Sequence, residues 1–324
     1  MTDRQAARPL KLSIVATMFN SAPYVDEFCR RASAAAHAFG GAYEIILVND
    51  GSPDESLDIA VGLSRADAHI RVIDLSRNFG HHKAMMTGLA HAAGELVFLI
   101  DSDLEEDPEW LAVFHETLAR ERADVVYGVQ RRRKGSLMER LAGAVYYATF
   151  NAMLEHPLPR NVITARLMTA RYVLQLVKHR DRELCLAGLW VITGFKQVSM
   201  IVDKRRRGSS AYGFTARVAV MVNAITSFSN RPLILIFYLG CLIMGSATLA
   251  GLQLIWLVLR GHVGVAGWPS LIISVWFLGG VTIFCIGVIG IYLSKVFMET
   301  KDRPYSIVRA YYPESFDADG RRDE

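Results

Sequence analysis

Cysteine is scarce and scattered. The four thiols, Cys29, Cys185, Cys241 and Cys285, lie far apart with no CxxC spacing, which excludes a disulfide framework and a thiolate zinc site and leaves them as reduced packing residues. A signal peptide is missing too. Met1 to Pro9 is polar, and the first apolar run, Leu10 to Phe19, is interrupted by Lys11 and too short, so the first domain is expected to stay in the cytosol. Net charge is only +4 over 324 residues, too weak a basic balance to call for a nucleic-acid partner.

Charge vanishes altogether from Pro232 to Leu259 and from Val263 to Ser294. Each run exceeds the roughly 20 residues that span a bilayer core of about 30 Å, so two transmembrane helices are expected within 232–296, joined by the short Arg260 to Gly267 connection as a hairpin. Arg217, Arg231, Lys295, Lys301, Arg303 and Arg309 bracket the hairpin on one side, against only Arg260 in the connection; positive-inside bias then places the main domain in the cytoplasm. Gly245, Ser246, Gly251, Gly279, Gly280, Gly287 and Gly290 give these spans small faces suited to close helix contact. That permits association within the hairpin or between protomers, as a homo-oligomer. The amphipathic stretch Phe214 to Phe228, inside a juxtamembrane segment 213–231, is expected to lie along the headgroups.

What the rest of the chain does have is alternation. Apolar runs of strand length at Leu12–Met18, Glu44–Val48, Arg71–Leu75, Leu96–Ile100 and Asp124–Gly128 are separated by helical patterns, which predicts βαβ units and a mainly parallel sheet. The fourth run stops abruptly at Asp101-Ser102-Asp103, followed by Leu104, Glu105, Glu106 and Asp107. Ligands of open α/β sheets bind just past the carboxyl ends of strands, so acids delivered there are placed to hold a hard cation and an anionic ligand. Asp101 and Asp103 exceed what a turn needs. Asp107 reads as the cap of a helix opened by Pro108, and Glu106 as a solvated loop acid. Asp50, in Asn49-Asp50-Gly51-Ser52, either contacts a ligand at the same edge or simply initiates a tight turn with Gly51. His81 and His82 read as a polar cap or solvated face with no metal role, since neighbours i and i+1 diverge on a helix. The cationic run Arg131 to Lys134 follows the fifth strand and could overhang the acids, and a second cationic run, Lys204 to Arg207, precedes Gly208-Ser209-Ser210-Ala211-Tyr212.

These residues together resemble the family 2 glycosyltransferases, in the branch of dolichyl-phosphate mannose synthase and bacterial polyprenyl-phosphate hexose synthases. Thr17-Met18-Phe19-Asn20, Asp50-Gly51-Ser52, Arg77-Asn78-Phe79-Gly80 and Asp101-Ser102-Asp103 carry the likeness. It implies a GT-A, Rossmann-like α/β catalytic domain over 12–212, preceded by a polar tail over 1–11 and followed by the membrane hairpin and a cytoplasmic tail over 297–324. The expected location is a bacterial-type inner (plasma) membrane. It further implies a UDP- or GDP-linked sugar donor held by Thr17, Phe19, Asn20, Asp50 and Asp101. Mg²⁺ or Mn²⁺ would sit on Asp103 and Glu105, and a polyprenyl phosphate acceptor would be met by Arg131, Arg133, Arg166, Arg205 and Ser210. Asp101, Asp103 and Arg205 are the expected catalytic residues.

The chain departs from the family pattern in places. Glu105 stands where DxDLQ has Gln, Thr164 where a Gly-Asp-Phe-Arg-Leu segment has Asp, Gln130 where an Arg is usual and Ala211 where Lys is usual. The loss of the Asp, with arginines retained, favours a phosphate acceptor that needs no deprotonation. Two rivals stand beside this reading. One is a membrane glycosyltransferase for a hydroxyl acceptor, with Asp181 or Glu183 as general base; the other is a non-catalytic membrane scaffold binding through Arg131 to Lys134.

Overall fold

Two neighbouring strands, β1 (Leu12–Met18) and β2 (Tyr43–Asn49), are buried at every residue, as expected for parallel strands with both faces covered. The computed structural model describes residues 10–130, 161–181, 184, 186–204, 231–260 and 267–314. Described residues up to 204 and again from 303 form one compact unit, and those from 231 to 302 form another.

In the first unit the chain runs through α1 (Val25–Phe39), α2 (Ser56–Ala66), β3 (Ile70–Leu75), α3 (His81–His91), β4 (Leu96–Asp101), α4 (Trp110–Glu121), β5 (Val125–Gln130), β6 (Val162–Thr169), α5 (Ala170–Leu176), α6 (Leu186–Ile192) and β7 (Gln197–Val202). The eight described strands order as β7-β5-β6-β4-β1-β2-β3-β8, where β8 is Val308–Tyr312. Strands β4, β1, β2 and β3 are mutually parallel. Register then decides what shares an edge: Thr17 pairs with Asp101, and Met18 with Asn49. The three site-bearing turns therefore leave the sheet side by side. β6 runs antiparallel to both β4 and β5, while β7 is parallel to β5; the ends of β5 and β7 consequently return to the edge that carries the acids.

α1 buries Phe28, Cys29, Ala32 and Ala36 beneath the sheet, in a core that also contains Phe98, Phe114, Leu47 and Ile100. Gly51 is the one glycine whose freedom the site needs. It sits at φ 63°, and a Cβ there would run into the backbone of Arg77 and Asn78, so two edge loops approach each other through it.

The C-terminal stretch differs from its expected form as a tail. Val308–Tyr312 pairs antiparallel with β3 and closes that edge of the sheet. A short run of mixed polarity, it gains its partners only from tertiary structure. Helix α4 likewise starts at Trp110, two residues later than Pro108. Asp107, just before it, accepts a 2.7 Å bond from the Arg31 guanidinium on Oδ1.

The second unit contains α7 (Arg231–Leu259) and α8 (Trp268–Thr300). Within α8, Ser274–Thr300 is long and apolar enough to cross a membrane. Phe214 to Phe228 lies outside the described residues.

Candidate active site

Thr17 ends β1, Asp101 ends β4, and His81 opens α3. The imidazole bridges the two strand ends: Nδ1 lies 3.1 Å from Thr17 Oγ1, and Nε2 lies 3.3 Å from Asp101 Oδ1, a charge contact. His81 opens the helix and keeps about half of its side chain in solvent, 49% exposed, as expected, while also touching both strand ends. Signals for it were present in the sequence, because it follows β3 by a short loop and must emerge at the same edge as the acids. Ser102, buried between the two aspartates, donates to the Thr17 carbonyl at 2.7 Å and so fastens the acid loop to β1.

Asp50 is buried, and its two oxygens accept the backbone N–H groups of Phe79 (2.7 Å) and Gly80 (3.0 Å). It latches the β2 turn to the loop before α3. Next to it, the Asn20 N–H donates to Ser52 Oγ at 2.8 Å, and Asn20 itself adopts φ 53°. Phe19 is exposed beside them, an aromatic face open to a ring. Thr17, Phe19, Asn20, Asp50 and Asp101 are therefore brought together at one sheet edge.

The acid loop carries its own geometry. Asp103 Oδ1 accepts the Glu105 N–H at 2.9 Å. Glu105 Oε2 lies 3.1 Å from Lys204 Nζ, and Glu106 Oε1 lies 3.6 Å from the same ammonium. Glu106 is wholly buried and also accepts the Thr164 N–H at 3.1 Å, which corrects its expected place in solvent: β6 packs over it. Lys204, two residues past β7, and Thr164 on β6 also meet the acid loop; the sequence offers them only as the start of a cationic run and a departure from the family pattern. Placing β7 parallel to β5 is what brings Lys204 to this edge, and nothing local in the sequence announces that pairing.

Electrostatics follow from burial and from these neighbours. Burial pushes the Asp101 carboxyl up, but the imidazole beside it and the Lys204 charge hold it below the usual carboxylate range. Asp103 is held above its ordinary value by burial, even with the Glu105 N–H favouring the anion. Burial followed by the Asp101 charge pushes Glu106 up to about 8. Burial opposes protonation of His81 and Lys204, yet Asp101 for the first and Glu106 and Asp101 for the second raise both.

Metal fit rests on donor chemistry. Among the described residues, no three His, Cys, Asp or Glu side chains close on one point. Asp101 Oδ1 and Glu106 Oε2 are nevertheless buried without a hydrogen-bond partner, and Asp103 and Glu105 add half-buried carboxylates in the same loop. An all-oxygen, half-open set suits a hard divalent cation that brings water and phosphate ligands with it.

The acceptor expectations fare differently. Arg166 is almost fully buried; its guanidinium donates to the Thr164 and Ile163 carbonyls and lies over the Trp190 ring. Burial lowers it to about 9. It is a packing residue of the β6 layer and is not offered to a lipid phosphate, a correction to the role expected for it. Arg131, Arg133, Arg205, Ser210 and Glu183 lie outside the described residues.

Comparison with known proteins agrees with this geometry. Residues 13–173 match the family model described as "Glycosyl transferase family 2". A Mycobacterium tuberculosis protein described as a glycosyltransferase is 54% identical over 94% of this chain and 89% of its own length. The Bacillus subtilis glycosyltransferase YkcC is 31% identical over 94% and 95%. A Salmonella paratyphi A protein named undecaprenyl-phosphate 4-deoxy-4-formamido-L-arabinose transferase is 29% identical over 96% of each chain.

Proposed function

This chain belongs to glycosyl transferase family 2, and from that premise we propose that it is a membrane-anchored, inverting enzyme that moves a sugar from a nucleotide donor to a polyprenyl phosphate. The observation that carries the donor half is the convergence of Thr17, His81, Asp101 and Asp103 at one sheet edge, with Asn20 and Ser52 beside them. The acceptor half is supported by end-to-end similarity to the Salmonella undecaprenyl-phosphate transferase, which extends through the apolar helices.

A nucleotide sugar leaves behind a diphosphate whose growing charge must be neutralised. Bound Mg²⁺ or Mn²⁺, held by Asp103 and Glu105 with Asp101 in its outer shell or on the ribose, would supply that neutralisation as a Lewis acid. The chain's own contribution is to fix these oxygens. Ser102 ties the acid loop to β1, and His81 orients Asp101. Lys204 gathers Glu105 and Glu106. A phosphate monoester acceptor is already ionised near neutral pH, so its oxygen attacks the anomeric carbon directly, from the face opposite the departing nucleoside diphosphate. No general base is required. Arg131, Arg133, Arg205 and Ser210 are proposed to hold the acceptor phosphate as a guanidinium fork array.

Connectivity supports a two-span anchor. Strands β7 and β8 belong to one sheet, and a sheet cannot be divided by a bilayer, so the chain between them crosses an even number of times. With Ser274–Thr300 as one span, the apolar helix α7 is proposed as the other, and the Lys and Arg distribution supports the cytoplasm as the catalytic side.

The test is direct. Membranes containing the protein are incubated with labelled UDP- and GDP-sugars and undecaprenyl phosphate, with and without EDTA. A metal-dependent, chloroform-soluble product that releases sugar in mild acid supports the proposal; transfer only to a hydroxyl acceptor, abolished by Glu183→Gln, overturns it.

A further inference from the structure

The strand that follows the apolar helices is not a passive edge cover. β8 reaches the sheet with several independent anchors: the Ser76 N–H donates to the Ile307 carbonyl at 2.9 Å, Thr87 Oγ1 meets Ser306 Oγ at 2.7 Å, and His91 Nε2 lies 3.3 Å from the Tyr311 hydroxyl. Ser76 opens the loop that runs through Phe79 and Gly80, which Asp50 holds.

One contact goes deeper. Arg309 Nε donates to Asp74 Oδ2 at 2.6 Å. The Asp74 side chain is 2% exposed, while that of Arg309 is 57% exposed; the carboxylate is buried and its cation lies in the return strand. The other Asp74 oxygen, Oδ1, accepts the Asn49 side-chain N–H at 2.8 Å. The amide is thereby oriented with its oxygen toward the turn, where Asn49 Oδ1 accepts the Ser52 N–H at 3.2 Å. Ser52 Oγ in turn accepts the Asn20 N–H at 2.8 Å. Four hydrogen bonds therefore lead from an exposed arginine on β8 to the loop that presents Phe19 and Asn20.

We infer that the C-terminal strand is a working part of the donor site, with Arg309 a positioning residue for the nucleotide through Asp74, Asn49 and Ser52. The inference rests on the reading of that edge as the nucleotide site. The chemistry is specific. A buried carboxylate that loses its guanidinium is left without its counter-charge and turns toward another donor. The Asn49 amide then loses the partner that fixes its orientation. The 50–54 turn and Asn20 then sample other arrangements, and a nucleotide must select the competent one, so its apparent affinity falls by the fraction populated. Among the described residues, the strands beyond β4 carry none of these four bonds. Donor KM should rise while acceptor KM and saturated kcat hold.

The experiment uses the full chain in detergent micelles. Binding of UDP and of GDP in the presence of Mn²⁺ is measured by titration calorimetry, and donor and acceptor KM are measured with the sugar nucleotide that the activity screen identifies. The proteins are wild type, Arg309→Ala, Arg309→Lys, Asn49→Ala, the double variant R309A/N49A, and Arg65→Ala as a control on an exposed face of α2. The expected result is about tenfold weaker nucleotide binding for Arg309→Ala. Arg309→Lys should recover part of it, the double variant should be no worse than Asn49→Ala, acceptor KM should be unchanged, and Arg65→Ala should match wild type. Arg309→Ala binding nucleotide as wild type does, or raising both KM values alike with additive losses in the double variant, overturns the inference and leaves the functional proposal standing. If wild type binds neither nucleotide, the functional proposal falls and this inference with it. Should Arg309→Ala fail to fold, Arg309→Lys and Asn49→Ala carry the same comparison.

Discussion

The two sides of β4 are built on opposite principles. Toward β1 and β2, polar side chains end strands and are held by backbone: Asp50 by Phe79 and Gly80, Ser102 by the Thr17 carbonyl, Ser52 by Asn20. Toward β6, polar side chains are buried within the layer: Arg166 over Trp190, and Glu106 under β6 beside Lys204. The first side is a preformed rim that can receive a ligand. The second is a charged interior that supports the rim. Residue type and depth alone do not distinguish them, since Asp50 and Ser102 are as buried as Glu106; what each side chain is bonded to decides the role.

The largest effect that could break this comparison is on the rim. Asp103→Ala should lower turnover by roughly 10³-fold, the scale of losing a site's main charge-stabilising group, with an unchanged circular dichroism spectrum and thermal midpoint. A loss of fold instead would move Asp103 to the supporting side.

Arg166→Ala should do the reverse. Removing a buried guanidinium strips packing from Trp190 and leaves two carbonyls short of donors, at a cost of about 2–4 kcal/mol, read as a lower denaturant midpoint. Arg166→Met should recover much of the packing while leaving acceptor KM near wild type. A stable Arg166→Met protein with sharply raised acceptor KM would return Arg166 to the phosphate site.

Glu106 sharpens the contrast through pH. Its carboxyl is raised from an ordinary 4.5 to about 8 by burial and then by the Asp101 charge, so the folded protein holds a proton that the unfolded chain releases. The resulting stabilisation is complete below about pH 4.5 and is lost as pH rises through about 8. In metal-free buffer, stability should therefore decline across that window, and Glu106→Gln should flatten the decline; an unchanged slope in the variant would place Glu106 in contact with water. The smallest effect belongs to His81. Its replacement by Gln should raise donor KM by about three- to tenfold with a modest change in kcat, because Gln can still reach one of its two partners.

Legibility in the sequence follows the same division. Strands β1 to β5 were readable because each is a short apolar run closed by turn chemistry, and the acids followed because strands β1, β2 and β4 are parallel and expose their ends together. Glu106 was not readable, since its burial is imposed by β6, which arrives more than 50 positions later. Lys204 required knowing that β7 pairs with β5, and Val308–Tyr312 required a partner strand more than 200 positions away.

The central claim is that the rim binds a nucleotide sugar and that the chain delivers the sugar to a lipid phosphate. Mass spectrometry of the lipid fraction after incubating the purified chain with a panel of UDP- and GDP-sugars, Mn²⁺ and undecaprenyl phosphate tests it most directly. The account predicts one donor-dependent product, heavier than the carrier by a single glycosyl residue, absent with EDTA and absent from Asp103→Ala. Recovery of unmodified carrier from every donor, alongside sugar transferred to a hydroxyl acceptor, would contradict it.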